Sequence, residues 1–294
     1  MLIVDWGTTS LRIYKIREPG LVEEVIESRL GIMNVNNNDF SSVLSELLNP
    51  SDMNDQIVMF GMIGSKNGWH ETPYVQAPTA VSELINHAQK YSWASDSESI
   101  TPFWIMPGVK LEKSDGQVEV MRGEETQIIG FLETEPTFKG KIVLPGTHSK
   151  WISIRDGYIN DIRTYMTGDV YSAVLDSTIL KHTTLQNCEP CTKSFLHGAE
   201  LSSKKQSITN LMFQARSKVL NHEWDPSEAT NYLSGLLIGH EVRQELASNE
   251  DIRIIGCGEL SNRYSAIFSY LNHHADVIDQ SVVSFCETTF KSLL

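Results

Sequence analysis

The chain has 294 residues, 40% hydrophobic and 21% charged, with a formal net charge of −13. That length suffices for two medium domains or one large one, and the acidic balance argues against nucleic-acid binding while leaving an anionic small molecule open, since a few local cations reverse the field in a cleft. No apolar run of about 18 residues marks a membrane span, the N-terminus lacks a signal-peptide pattern, and four cysteines are too few for a disulfide scaffold, so a cytoplasmic, reduced protein is expected.

Residues 1–35 read as three short strands, broken at Arg17-Glu-Pro-Gly20 and ending before Gly31. Asp39 to Leu48 reads as a helix with Asp39 as N-cap, and Gln56 to Phe60 as a short apolar strand. The segment Gly61-Met-Ile-Gly64-Ser65-Lys66-Asn67-Gly68-Trp69-His70-Glu-Thr-Pro73-Tyr74 is a loop whose aromatic residues argue for order. Val81 to Lys90 is predicted helical and Pro102 to Met106 a strand. A helix begins at Glu124 and runs to Glu133. The stretch 141–154 is a second strand–turn–strand, Asp156-Gly157 a turn and Tyr158–Tyr165 a strand. Thr167-Gly168-Asp169 opens a mostly helical region reaching about residue 250. Arg253–Ile255, Ser261–Leu271 and Ala275–Ile278 then read as strand, helix and strand. The same layout thus occurs twice, which places a domain boundary at 130–140, predicts two halves packed across a cleft and predicts a return crossing at the C-terminus.

Two turns carry the repeat. Asp5-Trp-Gly7-Thr8-Thr9-Ser10-Leu-Arg12 and Gly146-Thr147-His148-Ser149-Lys150 each lie between apolar runs, and such turns offer backbone N–H groups and hydroxyls to phosphate. Neither is a Walker A loop. Asp5 interrupts an apolar strand, where an ionised carboxylate needs compensation. A magnesium ion is one compensation, and a hydrogen bond to its own turn is the other. Gly256-Cys-Gly258 between a strand and a helix suits an adenosine-contacting turn. With Asp276 or Asp279 it also suits one dinucleotide-binding unit, which keeps an oxidoreductase open. Arg122-Gly123-Glu124-Glu125 and Thr167-Gly168-Asp169 put acids at helix starts, either as a catalytic base or as partners of the helix dipole. Trp69 and Tyr74 either enclose a ligand or pin their loop. Cys188-Glu-Pro-Cys191 lacks two further zinc ligands and reads as a polar loop ending a helix.

These strings resemble those of the 2-dehydro-3-deoxygalactonokinases, sugar-acid kinases of the actin, hexokinase and heat-shock-chaperone ATPase superfamily. The resemblance covers nearly the whole chain. It rests on Asp5–Arg12, Gly61–Trp69 with Pro73-Tyr74, Val120–Gln127, Leu144–Trp151, Arg163–Gly168 and Tyr232–Gly239. It departs at Asp169, where the family often carries Glu, and at Cys286-Glu-Thr-Thr-Phe290. The resemblance implies an α/β fold of two ribonuclease H-like domains, 1–135 and 136–294, with ATP in the cleft and the last helix returning to the first domain. It implies transfer of the γ-phosphate to the 6-hydroxyl of 2-dehydro-3-deoxy-D-galactonate. Asp5 would hold Mg2+. Gly7, Thr8, Thr9, Ser10 and Arg12 would meet the phosphates with Gly146, Thr147, His148, Ser149 and Lys150, and Gly256 and Gly258 would approach adenosine. Glu124, then Glu125, then Asp169 would take the acceptor's proton. Arg122 would bind the substrate carboxylate, in a pocket shaped by Ser65, Asn67, Trp69 and Tyr74. The C4 epimer as substrate, a non-catalytic sensor of the same fold and a homodimer are left open.

Overall fold

In the computed structural model the described residues are 1–18, 21–94, 100–246, 250–279, 283, 286–290 and 293. The expected break at Pro19-Gly20 lies outside them. The chain divides into two compact units, one of Met1–Lys139, Ser153–Ile162 and Gln280–Leu294, the other of Gly140–Ile152 and Arg163–Asp279.

The first unit begins with an antiparallel meander of β1 (Leu2–Trp6), β2 (Leu11–Glu18) and β3 (Leu21–Ser28). Helix α1 (Phe40–Leu47) follows, capped by the Asp39 carboxylate, which accepts from the Ser42 N–H. Strands β4 (Ile57–Gly61), β5 (Tyr74–Gln76), β6 (Thr79–Ala80), β7 (Gln89–Ala94), β8 (Ile100–Ile105), β9 (Gly108–Glu112) and β10 (Val118–Met121) lead to α2 (Glu124–Thr134). The main sheet has the order β3-β2-β1-β4-β8-β7, and β10-β9-β5 form a small second one. Strands β1, β4 and β8 are parallel neighbours, so their carboxyl ends share one edge, where open α/β sheets bind ligands. Strand β1 is central. Leu2, Val4 and Trp6 enter a core with Phe40, Leu44, Met59 and Phe103, while Ile3 and Asp5 point to the opposite face. Helix α8 (Cys286–Phe290) belongs to this unit: the Cys286 thiol donates to the Thr126 carbonyl and Phe290 packs on Phe60.

The second unit contains β11 (Gly140–Leu144), β12 (Ser149–Arg155) and β13 (Tyr158–Tyr165). Four helices follow: α3 (Thr167–Ser177), α4 (Thr192–Leu201), α5 (Ile208–Leu220) and α6 (Pro226–Glu245). Strand β14 (Ile252–Ile255), helix α7 (Gly258–Tyr270) and β15 (Asp276–Ile278) complete it. The sheet order is β15-β14-β11-β12-β13, with β14 parallel to both β11 and β15. The far ends of β12 and β13 fall among the first unit's residues, where Tyr158 and Ile159 pair with Ala80 and Thr79. Counted from the start of each unit, the first four strands of both sheets have the order 3-2-1-4, the first three consecutive in sequence. This is the doubled ribonuclease H-like α/β arrangement that the resemblance implied. Helix α6 is buried along most of its 20 residues, because its apolar residues encircle it. It starts with a capping box, Asp225 and Glu228 each accepting from the other's backbone N–H.

The segment 81–90 differs from the expected helix. Val81–His87 is a 3₁₀ helix and Gln89 already belongs to β7. The alternation of Tyr91 and Trp93, which pack on the first core, and the antiparallel pairing with β8 outweigh helix propensity there. Strands β9 and β10 were also absent from the sequence reading. They form a short hairpin whose outer residues Val118 and Val120 are exposed, so its hydrophobic pattern is weak.

Candidate functional site

In the first unit Asp5 stands at the end of β1, with Arg12 across the ladder on β2 and Phe60 on β4. Burial is the main reason its carboxyl is pushed up to about 6. Arg12 opposes the shift and the Glu124 carboxylate adds to it. Arg12 itself pairs with Glu27 at 3.0 Å on the exposed side of the sheet. Glu124 reaches Asp5 electrostatically because of the backbone between them. Gly123 has φ +113, and a Cβ on it would lie 3.2 Å from the Gly61 Cα. The two glycines let the start of α2 settle on the carboxyl end of β4, next to Asp5.

The helix start is organised by its own acids. Glu124 Oε2 accepts from the Arg122 N–H at 3.0 Å, and Glu125 Oε2 accepts from the Gly123 N–H at 2.7 Å. The two side chains then part in character. Glu124 is half-buried. Glu125 is fully buried, and no partner exists for its Oε1 among the described residues. Burial and the Glu124 charge push the Glu125 carboxyl up to about 8, so it is mainly neutral at pH 7. Its folded-state pKa lies above the ordinary carboxylate value. Its contribution to stability is therefore complete below about pH 4.5 and lost as pH rises towards about 8. Glu125→Gln, which mimics the protonated acid, is expected to flatten the fall in the urea midpoint between about pH 5 and about pH 8. An unchanged slope would show that Glu125 is ionised in the fold.

The loop after β4 has two functions. Arg122 Nη1 and Nη2 donate to the Thr72 hydroxyl and carbonyl at 2.7 and 2.8 Å, and its guanidinium lies 4.2 Å from the Tyr74 ring centroid. The cation is thereby held in one orientation on an exposed aromatic face. Trp69 instead stacks on Phe103 at 4.7 Å and packs near Phe40 and Trp93, which pins the loop to the core. The Ser65 hydroxyl closes the local turn onto the Met62 carbonyl, and Asn67 is exposed. In the first phosphate-type turn Thr8, Thr9 and Ser10 are exposed. The turn is braced by the Ile32 and Met33 N–H groups, which donate to the Gly7 and Thr8 carbonyls.

In the second unit the Gly146 turn meets the start of α3. A Cβ on Gly168 would lie 2.5 Å from the Gly146 carbonyl oxygen, and the Asp169 N–H donates to the Thr147 carbonyl at 2.9 Å. Thr147 and His148 are exposed, with His148 Nε2 3.7 Å from Asp169 Oδ2. Ser149 and Lys150 are buried. Lys150 Nζ donates to the Thr164 hydroxyl at 3.1 Å, and the Ser149 hydroxyl meets the Tyr264 hydroxyl at 2.8 Å. A cavity of about 460 Å³ opens beside this turn. Its walls include Gly146, Thr167 and Gly168, Ser234 and Leu237 of α6, and Arg263 and Tyr264 of α7. Gly256 and Gly258 are outside its lining. Gly258, with φ +69, starts α7, and it is α7 that faces the cavity.

Asp5, Arg12 and the Glu124-Glu125 pair thus share one unit with Arg122 and Tyr74, and Asp169 lies with the second phosphate turn. Asp276 pairs with Arg253 at 3.2 Å and with His274, so the acid of the dinucleotide reading is engaged in the sheet. Cys188 and Cys191 are both free thiols. They precede α4 rather than end a helix, and Cys188 lines the cavity. Sequence reasoning missed Thr72, Glu241 and Tyr264. Glu241 had a readable signal, a carboxylate inside the apolar run of α6. Thr72 and Tyr264 had none, since their partners are distant in sequence. Among the described residues no helix is long and apolar enough to cross a membrane.

Residues 5–286 match the 2-keto-3-deoxy-galactonokinase family. The chain is 30% identical over 273 residues to the 2-dehydro-3-deoxygalactonokinase of Escherichia coli (strain K12), covering 91% of this chain and 88% of that protein. It is also 30% identical over 271 residues to the Rhizobium meliloti (strain 1021) protein named "Probable 2-dehydro-3-deoxygalactonokinase", covering 89% and 86%. A crystal structure of a candidate 2-dehydro-3-deoxygalactonokinase from Sinorhizobium meliloti matches it with a TM-score of 0.88 at 26% identity, over 99% of this chain and 98% of that one.

Proposed function

The chain belongs to the 2-keto-3-deoxy-galactonokinase family, and on that premise we propose that it transfers the γ-phosphate of ATP to the 6-hydroxyl of 2-keto-3-deoxy-D-galactonate. The observation that carries the nucleotide half is the cavity of about 460 Å³ bounded by a glycine turn and the first residues of an 11-residue helix. A turn and a helix start favour phosphate through their N–H groups and dipole, and the cavity suits a nucleoside in size. Gly146 and Thr147 serve the phosphates through the backbone. Ser149 and Lys150 support the turn from beneath, since both are buried and bonded inside the unit.

The acceptor half draws on the first unit. Phosphoryl transfer depends on positioning and charge neutralisation more than on covalent chemistry. Glu124, oriented by the Arg122 amide, takes the proton of the acceptor hydroxyl as the oxygen attacks phosphorus. Glu125 holds the Gly123 amide and stays neutral. Arg122, clamped by Thr72 and Tyr74, presents a fixed guanidinium to the substrate carboxylate, with Asn67 at the exposed rim. Asp5 fits a magnesium partner: it is half-buried, and its proton affinity is raised by burial and by Glu124, both of which a divalent cation offsets. A magnesium ion there would neutralise charge on the phosphate oxygens.

An ADP-release assay with Mg-ATP and a panel of 2-keto-3-deoxy sugar acids, both C4 epimers included, tests the reading. Turnover confined to the galactonate-derived acid is expected. Turnover on the other epimer alone would replace the substrate, and ATP binding without turnover on any acid would point to a sensor.

A further inference from the structure

Glu241 is 1% exposed and lies near the C-terminal end of α6, one turn beyond the cavity-lining residues Leu237 and Ile238. A buried carboxylate in such a place, with the buried Glu245 one turn on adding like charge, is costly unless donors converge on it, and here they do. The Trp151 indole N–H donates to its Oε1 at 2.8 Å. The Tyr264 hydroxyl is 2.9 Å from both oxygens. Trp151 is on β12, directly after the phosphate turn, and Tyr264 is on α7. The phenol has one proton, and the carboxylate takes it. The Ser149 hydroxyl, 2.8 Å from the phenol oxygen, must then donate to it. One buried acid thus joins the phosphate turn, the strand that leaves it and the helix opposite. Tyr264 lines the cavity.

We propose that Glu241 is a positioning residue for nucleotide: through Trp151 and Tyr264 it holds the Gly146–Ser149 turn against α7 at the spacing that ATP phosphates require. This rests on the reading of the cavity as the nucleotide site. An ordinary core contact would support stability alone. A positioning network predicts a selective loss, because the groups it orders face one substrate and not the other.

The test uses full-length Glu241→Gln and Tyr264→Phe, with ATP titrated by calorimetry and steady-state kinetics in both substrates. Gln at 241 turns an acceptor into an amide with an NH₂ facing two donors, and Phe at 264 removes the phenol's bonds to both Glu241 and Ser149 while leaving the Trp151 donor in place. The expected result is ATP binding weakened roughly ten- to hundredfold in Glu241→Gln and less in Tyr264→Phe, with the KM for the sugar acid unchanged. The Trp151 indole N–H resonance should shift in Glu241→Gln and stay near its wild-type position in Tyr264→Phe. Should Glu241→Gln fail to fold, Tyr264→Phe decides alone. Wild-type binding of ATP with unchanged affinity in the folded variants overturns the proposal and leaves the nucleotide reading intact. Equal losses for both substrates also overturn it, by marking a general structural role. Absence of ATP binding in the wild type overturns the nucleotide reading itself and the proposal with it.

Discussion

Glu124→Gln is expected to lower kcat by about 10²–10⁴ while ATP affinity changes little. The amide keeps the shape of the side chain and an oxygen that accepts from the Arg122 N–H, so the start of α2 should survive. What disappears is the ability to take a proton. Three carboxylates, Glu124, Glu125 and Asp169, are the candidates for the base at helix starts, and the structure separates their environments. Glu125 is fully buried and mainly neutral at pH 7, which suits a structural acid. Asp169 lies beside the second phosphate turn, near His148. Glu124 is half-buried and alone among the three is electrostatically close to Asp5. Rapid-quench single-turnover measurements would isolate the chemical step. A Glu124→Gln enzyme with wild-type turnover would transfer the role to Asp169, and Asp169→Asn would then show the large effect.

Asp5→Asn is expected to act on activity and stability in opposite directions. Removing the charge should lower kcat by about 10²–10³ and raise the magnesium concentration needed for half-maximal rate. The stability effect follows from the carboxyl's titration near pH 6. The folded protein binds this proton more tightly than the unfolded chain does, so ionisation above that pH opposes folding. In wild type, the stability associated with protonated Asp5 is complete below about pH 4 and lost as pH rises through about 6. Asn carries no such penalty. The nucleotide-free variant should therefore melt at a higher temperature than wild type at about pH 8, with the difference shrinking towards about pH 4. Such an opposition between function and stability is common where a charge is held in a dry site for a ligand. Equal melting temperatures at both pH values would mean that Asp5 is well solvated, and an unaltered magnesium requirement would remove it from the metal.

Much of this architecture was legible because it depends on local pattern. The apolar run with Asp5 inside it, the glycine turns after β1 and β11, and the acids opening α2 and α3 all lie within a few residues of one another. The repeat of strand, turn and strand predicted two related units, and the first four strands of both sheets have the order 3-2-1-4. Where local pattern is weak the sequence says less: β10 exposes its two valines, Val118 and Val120, and the helix expected through Lys90 gives way to β7 because Tyr91 and Trp93 find a core and β8 offers an edge.

The amino-acid sequence by itself determined which chemistry is available, since a carboxylate, a guanidinium or a glycine at a strand end is a property of the residue and its immediate neighbours. Only the tertiary structure decided how each group behaves. Two adjacent glutamates became different acids because one entered the core and the other did not. Trp69 became a loop anchor and Tyr74 a platform for Arg122 because their partners, Phe103 and Arg122, arrive from strands and turns many residues away. Ser149, a phosphate-turn residue on sequence grounds, is buried with its hydroxyl 2.8 Å from the Tyr264 hydroxyl, which in turn meets Glu241. Burial and long-range hydrogen bonding set proton affinity and orientation, and neither is encoded in the spacing of neighbouring residues.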